Sequence, residues 1–541
     1  MRRALCAVAL AAIVVLLVRA ARVGLAGDYV DPVTRIAAQD EALYASEAIS
    51  MAVHGDPMTP RFMGRFALYK PPLLIWSAAL SARVLGISRL SLRLPIVLLA
   101  ALAAGLLFLW AAEVQSWQAG VAAVLLLLSN HLWVTLGALC MTDALLVSFF
   151  IGAFYALFSD PWMESRPGLF GFSGCVAAAI LTKGIAGLLP LMVLGLYWIA
   201  APRKYRPSFW RVCLTSALSL ALAASWFVYQ GIVHSRWFWT EHVMVEILGF
   251  GAGVPPQTSP EPQALFYLLR LAAIDPVLVA VAAAGLPVFL TALRRRSPDA
   301  TLLACWIVAA CAVVLIWRYR NAAYLLPLVP ALVLVGTAYS PFTDRRYVPW
   351  MLAALAAVFL VKCSVPELTW GLSFKEGTIQ PLAAPLTSYC EQHRGNELIV
   401  VDLPDDLYAS TLPLARLRYA AVRPAGPDPR YGMPFQEMGI AVSVPQFNHL
   451  AGLEPQFRGR LRQWGMDTAD PIASLILVRD ADELEALAVS HPETDFLIPE
   501  RYHDAIRLAP HSTAPAGSDY FFLIARRRFE RSSPQGWTCR M

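Results

Sequence analysis

The chain has 541 residues, 57% of them hydrophobic and only 15% charged, with 44 Lys and Arg against 38 Asp and Glu for a net charge of +6. So apolar a composition excludes a soluble globular protein with an ordinary surface, and it excludes a disordered chain; it fits several membrane-spanning helices joined to a smaller polar portion. The positive excess is modest and sits in short clusters between apolar segments, which argues against nucleic-acid binding.

The chain opens with MRRALCAVALAAIVVLLVRA. Its basic start is that of a secretory signal, but the apolar run is long and many like it follow, so it reads as an uncleaved first transmembrane helix. Further segments of spanning length cover about 94–112, 119–138, 143–158, 168–182, 184–200, 212–232, 273–293, 300–317, 322–338 and 347–363, which makes about eleven spans with the first. The connections SRP, APRKYRPSFWR, RRRSPD and TDRRY carry much of the Lys and Arg. They fall on one side if the N-terminus is cytoplasmic, in agreement with the positive-inside rule. This parity requires that KPPLLIWSAALSARVLG, residues 70–86, lie along the interface as a helix rather than cross.

From about Glu367 the pattern changes to short buried strands beside helix-forming stretches, as in ELIVVDLP, ASLILVRDADELEALAV and DYFFLIARRR. The expected fold is therefore mainly α: a polytopic transmembrane bundle, residues 1–366, with interfacial helices in a first external loop at 26–93. A C-terminal extracytoplasmic α/β domain, residues 367–541, follows it. Most cysteines lie in apolar stretches and act as small hydrophobes; Cys390 and Cys539 could pair if their part is outside the cytoplasm. Walker, dinucleotide-binding and His-Glu-x-x-His motifs are absent from the sequence.

In this topology unusual charges collect on the non-cytoplasmic face. Asp40, Glu41 and Lys70 belong to the first external loop, with Tyr44 beside them. Asp143 starts a helix in CMTDALLV, and Lys183 occupies the turn of LTKGIAGLLP. Glu241 and His242 lie in FWTEHVMVE, and Arg318, Arg320 and Tyr324 come from WRYRNAAYLLP, where two helices meet. Ionisable groups at membrane depth are costly and usually face a cavity or a partner. A carboxylate there can act as general base, and Lys and Arg can clamp a phosphate, so a lipid-linked phosphate substrate suits the set. Each residue also has a purely structural reading. Asp143 fits a helix N-cap, Lys183 a snorkelling side chain, Arg318 and Arg320 interfacial anchors, and Asp40 and Glu41 solvated loop acids. His131, in LSNHLWV, reads as a hydrogen-bonded helix histidine.

QDEALYASEAISMAVHGDPMTP, YKPPLLIW, LGISRLSLRLP, MTDALLV, LTKGIAGLLP and RNAAYLLPLVPAL, in that order, resemble the bacterial membrane glycosyltransferases of the GT-C type. The nearest branch is that of the lipid A aminoarabinose transferases, which are similar in turn to protein O-mannosyltransferases. The likeness covers about Asp31 to Leu334, and its motifs are specific in combination rather than singly. It implies transfer of a sugar from a polyprenyl-phosphate donor, undecaprenyl phosphate in bacteria, to a lipid, glycan or protein acceptor on the outer side of the inner membrane. It also implies Asp40 as the catalytic carboxylate with Glu41 beside it, Lys70 as the ligand of the donor phosphate and Tyr324 as a further phosphate contact; Asp143 and Lys183 match positions of less defined role. Two positions depart from the branch. Tyr69 stands where it usually has a Glu before Lys-Pro-Pro, and Leu43 where it has an Arg three residues after the motif Asp. That Glu belongs to a metal site shared with a later His, for which His242 is the counterpart, so no metal and no other cofactor is assigned here. Arg318 or Arg320 would replace the missing Arg.

The expected activity is thus an inverting glycosyl transfer, of a hexose or pentose. The alternatives are a transporter or flippase of lipid-linked sugars, which should show paired repeats and midplane polar groups, and a scaffold whose external part binds a partner. The topology is testable directly: an alkaline-phosphatase fusion at residue 367 should be active and one at Arg295 inactive, and the opposite result would put Asp40 in the cytoplasm.

Overall fold

The computed structural model describes residues 37–62, 65–87, 89–234, 238–249, 251, 261–341, 347–364, 397–401, 416–422, 475–478, 480–506, 511–515 and 520–525. The expected first span and both Cys390 and Cys539 lie outside the described residues. The chain enters with helix α1 (Ala37–His54), rich in Ala, the residue that most favours helix. Asp40 sits in its first turn, where an acid suits the positive end of the helix dipole. The Asp56 carboxylate just beyond α1 accepts from the backbone of Met58 at 3.0 Å and Thr59 at 3.2 Å. A two-residue ribbon, β1 (Arg61–Phe62) with β2 (Arg65–Phe66), leads to Lys70, Pro71 and Pro72 and then to α2 (Leu73–Leu85). Helix α2 packs between α1 and the long α3 (Arg89–Val114), while Leu80, Val84 and Leu85 remain exposed.

The membrane bundle continues with α4 (Trp117–Ser129), α5 (His131–Gly137), α6 (Thr142–Ser159), α7 (Arg166–Lys183), α8 (Leu189–Ala200) and α9 (Phe209–Val233). It goes on through α10 (Gln263–Ile274), α11 (Pro276–Arg294), α12 (Pro298–Ile316), α13 (Val329–Ala338) and α14 (Val348–Ser364). Capping side chains explain several starts. Ser116, Asn130, Ser165 and Asp275 accept from the first-turn amides of α4, α5, α7 and α11.

Among the described residues six helices are long and apolar enough to cross a membrane, or seven if α4 and α5, bent by 71°, form one broken span. The chain is a multi-pass membrane protein, and among the described residues the count stays below the expected eleven or so. Helices such as α14 and the stretch 322–338 are shorter than a full span, and residues 1–36 are outside the description. Length and composition also count Arg166–Ala200 as one stretch, yet the chain reverses inside it. A Cβ on Gly187 would lie 2.3 Å from the Ile180 amide nitrogen, a closeness impossible along a straight helix. A 3₁₀ turn, Gly184–Leu188, with Gly184 at φ +53°, makes that reversal and leaves Lys183 at its tip. Helices α11 and α13 touch backbone to backbone where Gly285 faces Val335 and Gly336 faces Val281, the close approach small residues permit in membranes.

The C-terminal part contains a six-stranded sheet in the order β5-β4-β3-β6-β8-β7, from β3 (Glu397–Val401), β4 (Arg416–Val422), β5 (Leu475–Val478), β6 (Asp495–Pro499), β7 (His511–Pro515) and β8 (Tyr520–Ala525). Pairs β5–β4, β4–β3 and β3–β6 are parallel, and β6–β8 and β8–β7 antiparallel. Helix α15 (Ala481–Ser490) buries Leu484 and Ala488 against Ile399, Phe496 and Phe521 on one face of the sheet.

One buried lysine of the bundle serves the fold. Lys362 of α14 donates to the Ser129 carbonyl at 2.7 Å, a group left over at the end of α4, and pairs with Asp275 at 3.4 Å. Asp275 also accepts from Asn130 at 2.9 Å and caps α11. Breaking a buried pair by removing one partner costs about 3–5 kcal/mol. Lys362→Met should therefore lower the unfolding midpoint in detergent strongly, and adding Asp275→Asn, which keeps the cap but removes the orphaned charge, should recover much of the loss. A double variant no more stable than the single one would show that the pair is not coupled.

Candidate active site

A cavity of about 330 Å³ opens at the end of the bundle where α6 starts and α7 stops. Its polar wall carries Lys70, Asp143, Lys183, His242, Glu246 and Tyr324, and its apolar wall includes Leu146, Phe150, Met192 and Val313. The site thus has a charged end and a greasy side, the combination an amphiphilic ligand needs.

Helix α1 brings three polar groups toward this end at helical spacing: Asp40, Tyr44 and Glu47. The Asp40 charge acts on both Lys70 and Tyr44. Tyr44 is buried and hydrogen-bonds Thr142. Burial first, then the charges of Asp40, Asp143 and Glu47, hold its hydroxyl well above the usual range, so it stays a neutral donor. Glu47 is buried and accepts from the Tyr69 hydroxyl. Glu41, next to Asp40 but a hundred degrees around the helix, is committed elsewhere. Both its oxygens receive the Arg93 guanidinium at 2.5 Å, and it also accepts from the Cys140 backbone at 2.8 Å. It ties α1 to α3 and to the turn ahead of α6.

The two ammonium groups of the cavity each meet a carboxylate. Lys183 donates to Asp143 at 2.7 Å and lies 5.3 Å over the Tyr324 ring. Asp143 sits in the first turn of α6 while Met141 takes the cap position, so its carboxylate serves Lys183 and not the helix end. Lys70, whose place is fixed by the two prolines that follow, pairs with Glu246. Burial, then the nearby Lys183 charge, push the Lys70 ammonium down to about 7, against the upward pull of Asp40, Asp143 and Glu47. The ion pair with Glu246 works to keep it charged.

His242 and Glu246 belong to a π-helical segment, Trp239–Gly249, a form that is rare and concentrated at functional sites. The His242 ring stacks on Phe238, with centroids 5.1 Å apart, and its Nδ1 lies 3.0 Å from the Tyr69 carbonyl. Burial pushes the imidazole down to about 4, so it is neutral near pH 7 and donates from Nδ1 to that carbonyl. A metal is a poor fit to these groups. Tyr69 gives its hydroxyl to Glu47 and its carbonyl to His242, and among the described residues no three His, Cys, Asp or Glu side chains gather as a metal would require.

Of the residues singled out from sequence, Lys70, Asp143, Lys183, His242 and Tyr324 share this wall. Arg318 and Arg320 do not line it: Arg318 is exposed, and Arg320 donates to the Glu261 carbonyl at 2.7 Å and lies over the Phe266 ring. The Glu241 side chain lies outside the described residues. Glu246 and Glu47 were not anticipated, although spacing held a signal for each. Glu246 follows His242 by four residues, and Glu47 continues the Asp40–Tyr44 row of α1.

Residues 69–229 match the protein family described as dolichyl-phosphate-mannose-protein mannosyltransferase. An uncharacterised protein of Aquifex aeolicus is 27% identical over 202 residues, 37% of this chain and 40% of that one. The undecaprenyl phosphate-alpha-4-amino-4-deoxy-L-arabinose arabinosyl transferase of Aeromonas hydrophila is 29% identical over 222 residues, 38% of this chain and 39% of the transferase. The chain thus spans about 40% of the length of the curated relatives it matches. The crystal structure of ArnT from Cupriavidus metallidurans bound to undecaprenyl phosphate superposes with a TM-score of 0.65 at 17% identity, covering 96% of this chain and 97% of that one. The chain has the fold of that protein, and it resembles the GT-C type membrane glycosyltransferases.

His242 gives the site a measurable pH signature. The folded chain refuses a proton that the unfolded chain accepts between the ordinary 6.5 and about 4, so stability is complete above the upper value and is lost as pH falls toward the lower one. His242→Gln should flatten the unfolding midpoint against pH across that window, and parallel curves for variant and wild type would sink the assignment.

Proposed function

We propose that the chain transfers a sugar, with inversion, from a polyprenyl-phosphate donor to a lipid, glycan or protein acceptor at the outer face of a bacterial plasma membrane. In this reading residues 1–366 are the catalytic module, the N-terminus is cytoplasmic, and 367–541 form an extracytoplasmic domain. The observation that carries it is the cavity in which Lys70 and Lys183 face an apolar wall at the end of the membrane helices. Two ammonium groups suit a phosphate, and the apolar side suits the first isoprene units of its lipid. The matched family and the arabinosyl transferase of Aeromonas hydrophila are both named for polyprenyl-phosphate sugar donors, and the ArnT structure holds undecaprenyl phosphate.

In the reaction the acceptor hydroxyl attacks the anomeric carbon as its proton passes to the Asp40 carboxylate. The bond from that carbon to the phosphate oxygen breaks, and polyprenyl phosphate leaves. Lys70 stabilises the negative charge that develops on the leaving phosphate, with Tyr324 beside it and Lys183 in place of the arginines expected from sequence. Asp143 keeps Lys183 aimed into the cavity. A transporter or flippase is not favoured, since the charges gather at one end of the bundle rather than midway along it.

The test is the initial rate of sugar transfer by purified protein supplied with an undecaprenyl-phosphate sugar, with donor affinity measured alongside. Asp40→Asn cannot take the proton and should lower the rate about 10²-fold or more with little change in affinity. Lys70→Ala should nearly abolish transfer and weaken donor binding, and Tyr324→Phe should do less. Glu41→Gln should act mainly on stability, through Arg93. Equal small losses for Asp40→Asn and Glu41→Gln would remove Asp40 from the mechanism.

A further inference from the structure

The pairing of Lys70 differs from that of Lys183. Asp143 belongs to the first turn of a packed membrane helix and its side chain is 11% exposed, whereas Glu246 is 21% exposed and is carried by the π-helical segment. That segment engages two successive residues of the Lys-Pro-Pro stretch. His242 takes the Tyr69 carbonyl and Glu246 takes the Lys70 ammonium. His242 is buried and wedged against Phe238 and Phe227, so it fixes the segment at one point. Glu246, four residues on, reaches Lys70 from the side of the cavity and lines the wall with it.

Lys70 and Glu246 are in direct contact on the cavity wall, so a phosphate that takes the same face of the Lys70 ammonium meets the Glu246 charge at close range and is repelled by it. An anion arriving at Lys70 must therefore replace Glu246 rather than join it. An ammonium left bare there would be costly, and it would bind any phosphate, departing product included, very tightly.

We propose that Glu246 is a built-in counter-ion which the lipid phosphate displaces from Lys70 on binding and which reclaims Lys70 as the phosphate leaves; this rests on the reading of the cavity as the donor-phosphate site. Glu246 stands in for the phosphate while the site is free. It lowers affinity for polyprenyl phosphate and speeds its release. It is a tuning residue and takes no part in breaking the glycosyl bond.

The experiment titrates undecaprenyl phosphate into the purified full-length protein in detergent, with undecaprenol as the control that lacks the phosphate. Glu246→Gln keeps size and hydrogen bonding but abolishes the competing charge, and it should tighten undecaprenyl phosphate binding about fivefold, the scale of coupling between contacting charges. Undecaprenol binding should not change. Glu246→Asp, shorter by one methylene, should fall between wild type and Glu246→Gln, which keeps the test open if one variant folds poorly. In a Lys70→Ala background, where binding is already weak, Glu246→Gln should have no further effect. If Glu246→Gln leaves binding unchanged or weakens it while Lys70→Ala still loses it, Glu246 merely holds Lys70 in position and the counter-ion role is overturned. If Lys70→Ala binds undecaprenyl phosphate as wild type does, the phosphate site itself is misplaced, and both readings fall together.

Discussion

A charged side chain at the edge of a bilayer has too little water to stabilise it, so it must find a partner within the fold. Among the described residues four such pairs stand out: Arg93 with Glu41, Lys183 with Asp143, Lys70 with Glu246, and Lys362 with Asp275. None is local. Their members lie 52, 40, 176 and 87 residues apart. Each pair therefore joins segments that the chain alone would leave apart, and three of the four converge around one end of the bundle. The same requirement that closes the fold there also gathers the carboxylates and ammonium groups that chemistry can use.

Much of this end was legible in the sequence because charge in an apolar chain is conspicuous. Lys70, Asp143, Lys183, His242 and Tyr324 stood out as polar residues at the ends of hydrophobic segments, and they line one cavity. Glu246 and Glu47 are less conspicuous. Their signal lies only in helical spacing from Asp40, Tyr44 and His242, and the packing of the π-helical segment and of α1 shows what each acid meets. Arg318 and Arg320 lie close to Tyr324 in sequence, but Arg320 turns to the Glu261 carbonyl and the Phe266 ring, and Arg318 is exposed. Glu41 illustrates a finer limit. Adjacent residues on a helix face different neighbours, so a motif that names both acids does not say which one meets a cation of the fold.

The membrane topology shows where hydropathy alone falls short. A window average registers how apolar a stretch is and nothing of its direction. It cannot tell a straight helix from the reversal at Gly184–Leu188, or a single span from the pair α4 and α5 that bends at Asn130. The cues for both breaks are single residues. Gly187 leaves room for the returning chain, and Asn130 accepts from the Trp133 amide to start a new helix. These interruptions serve the site, because the first presents Lys183 at its tip and the second leads through α5 to the turn that ends at Asp143.

The Lys362 pair also bears on how the molecule comes together in the cell. Helix α14 has 17 residues and a lysine near its end, and a lysine within a membrane segment opposes insertion by about 2.5–3.5 kcal/mol when central. Its compensating acid, Asp275, is synthesised earlier and waits at the head of α11, with a carbonyl at the end of α4 as second acceptor. Seating α14 in the bundle thus depends on α4 and α11 having already docked.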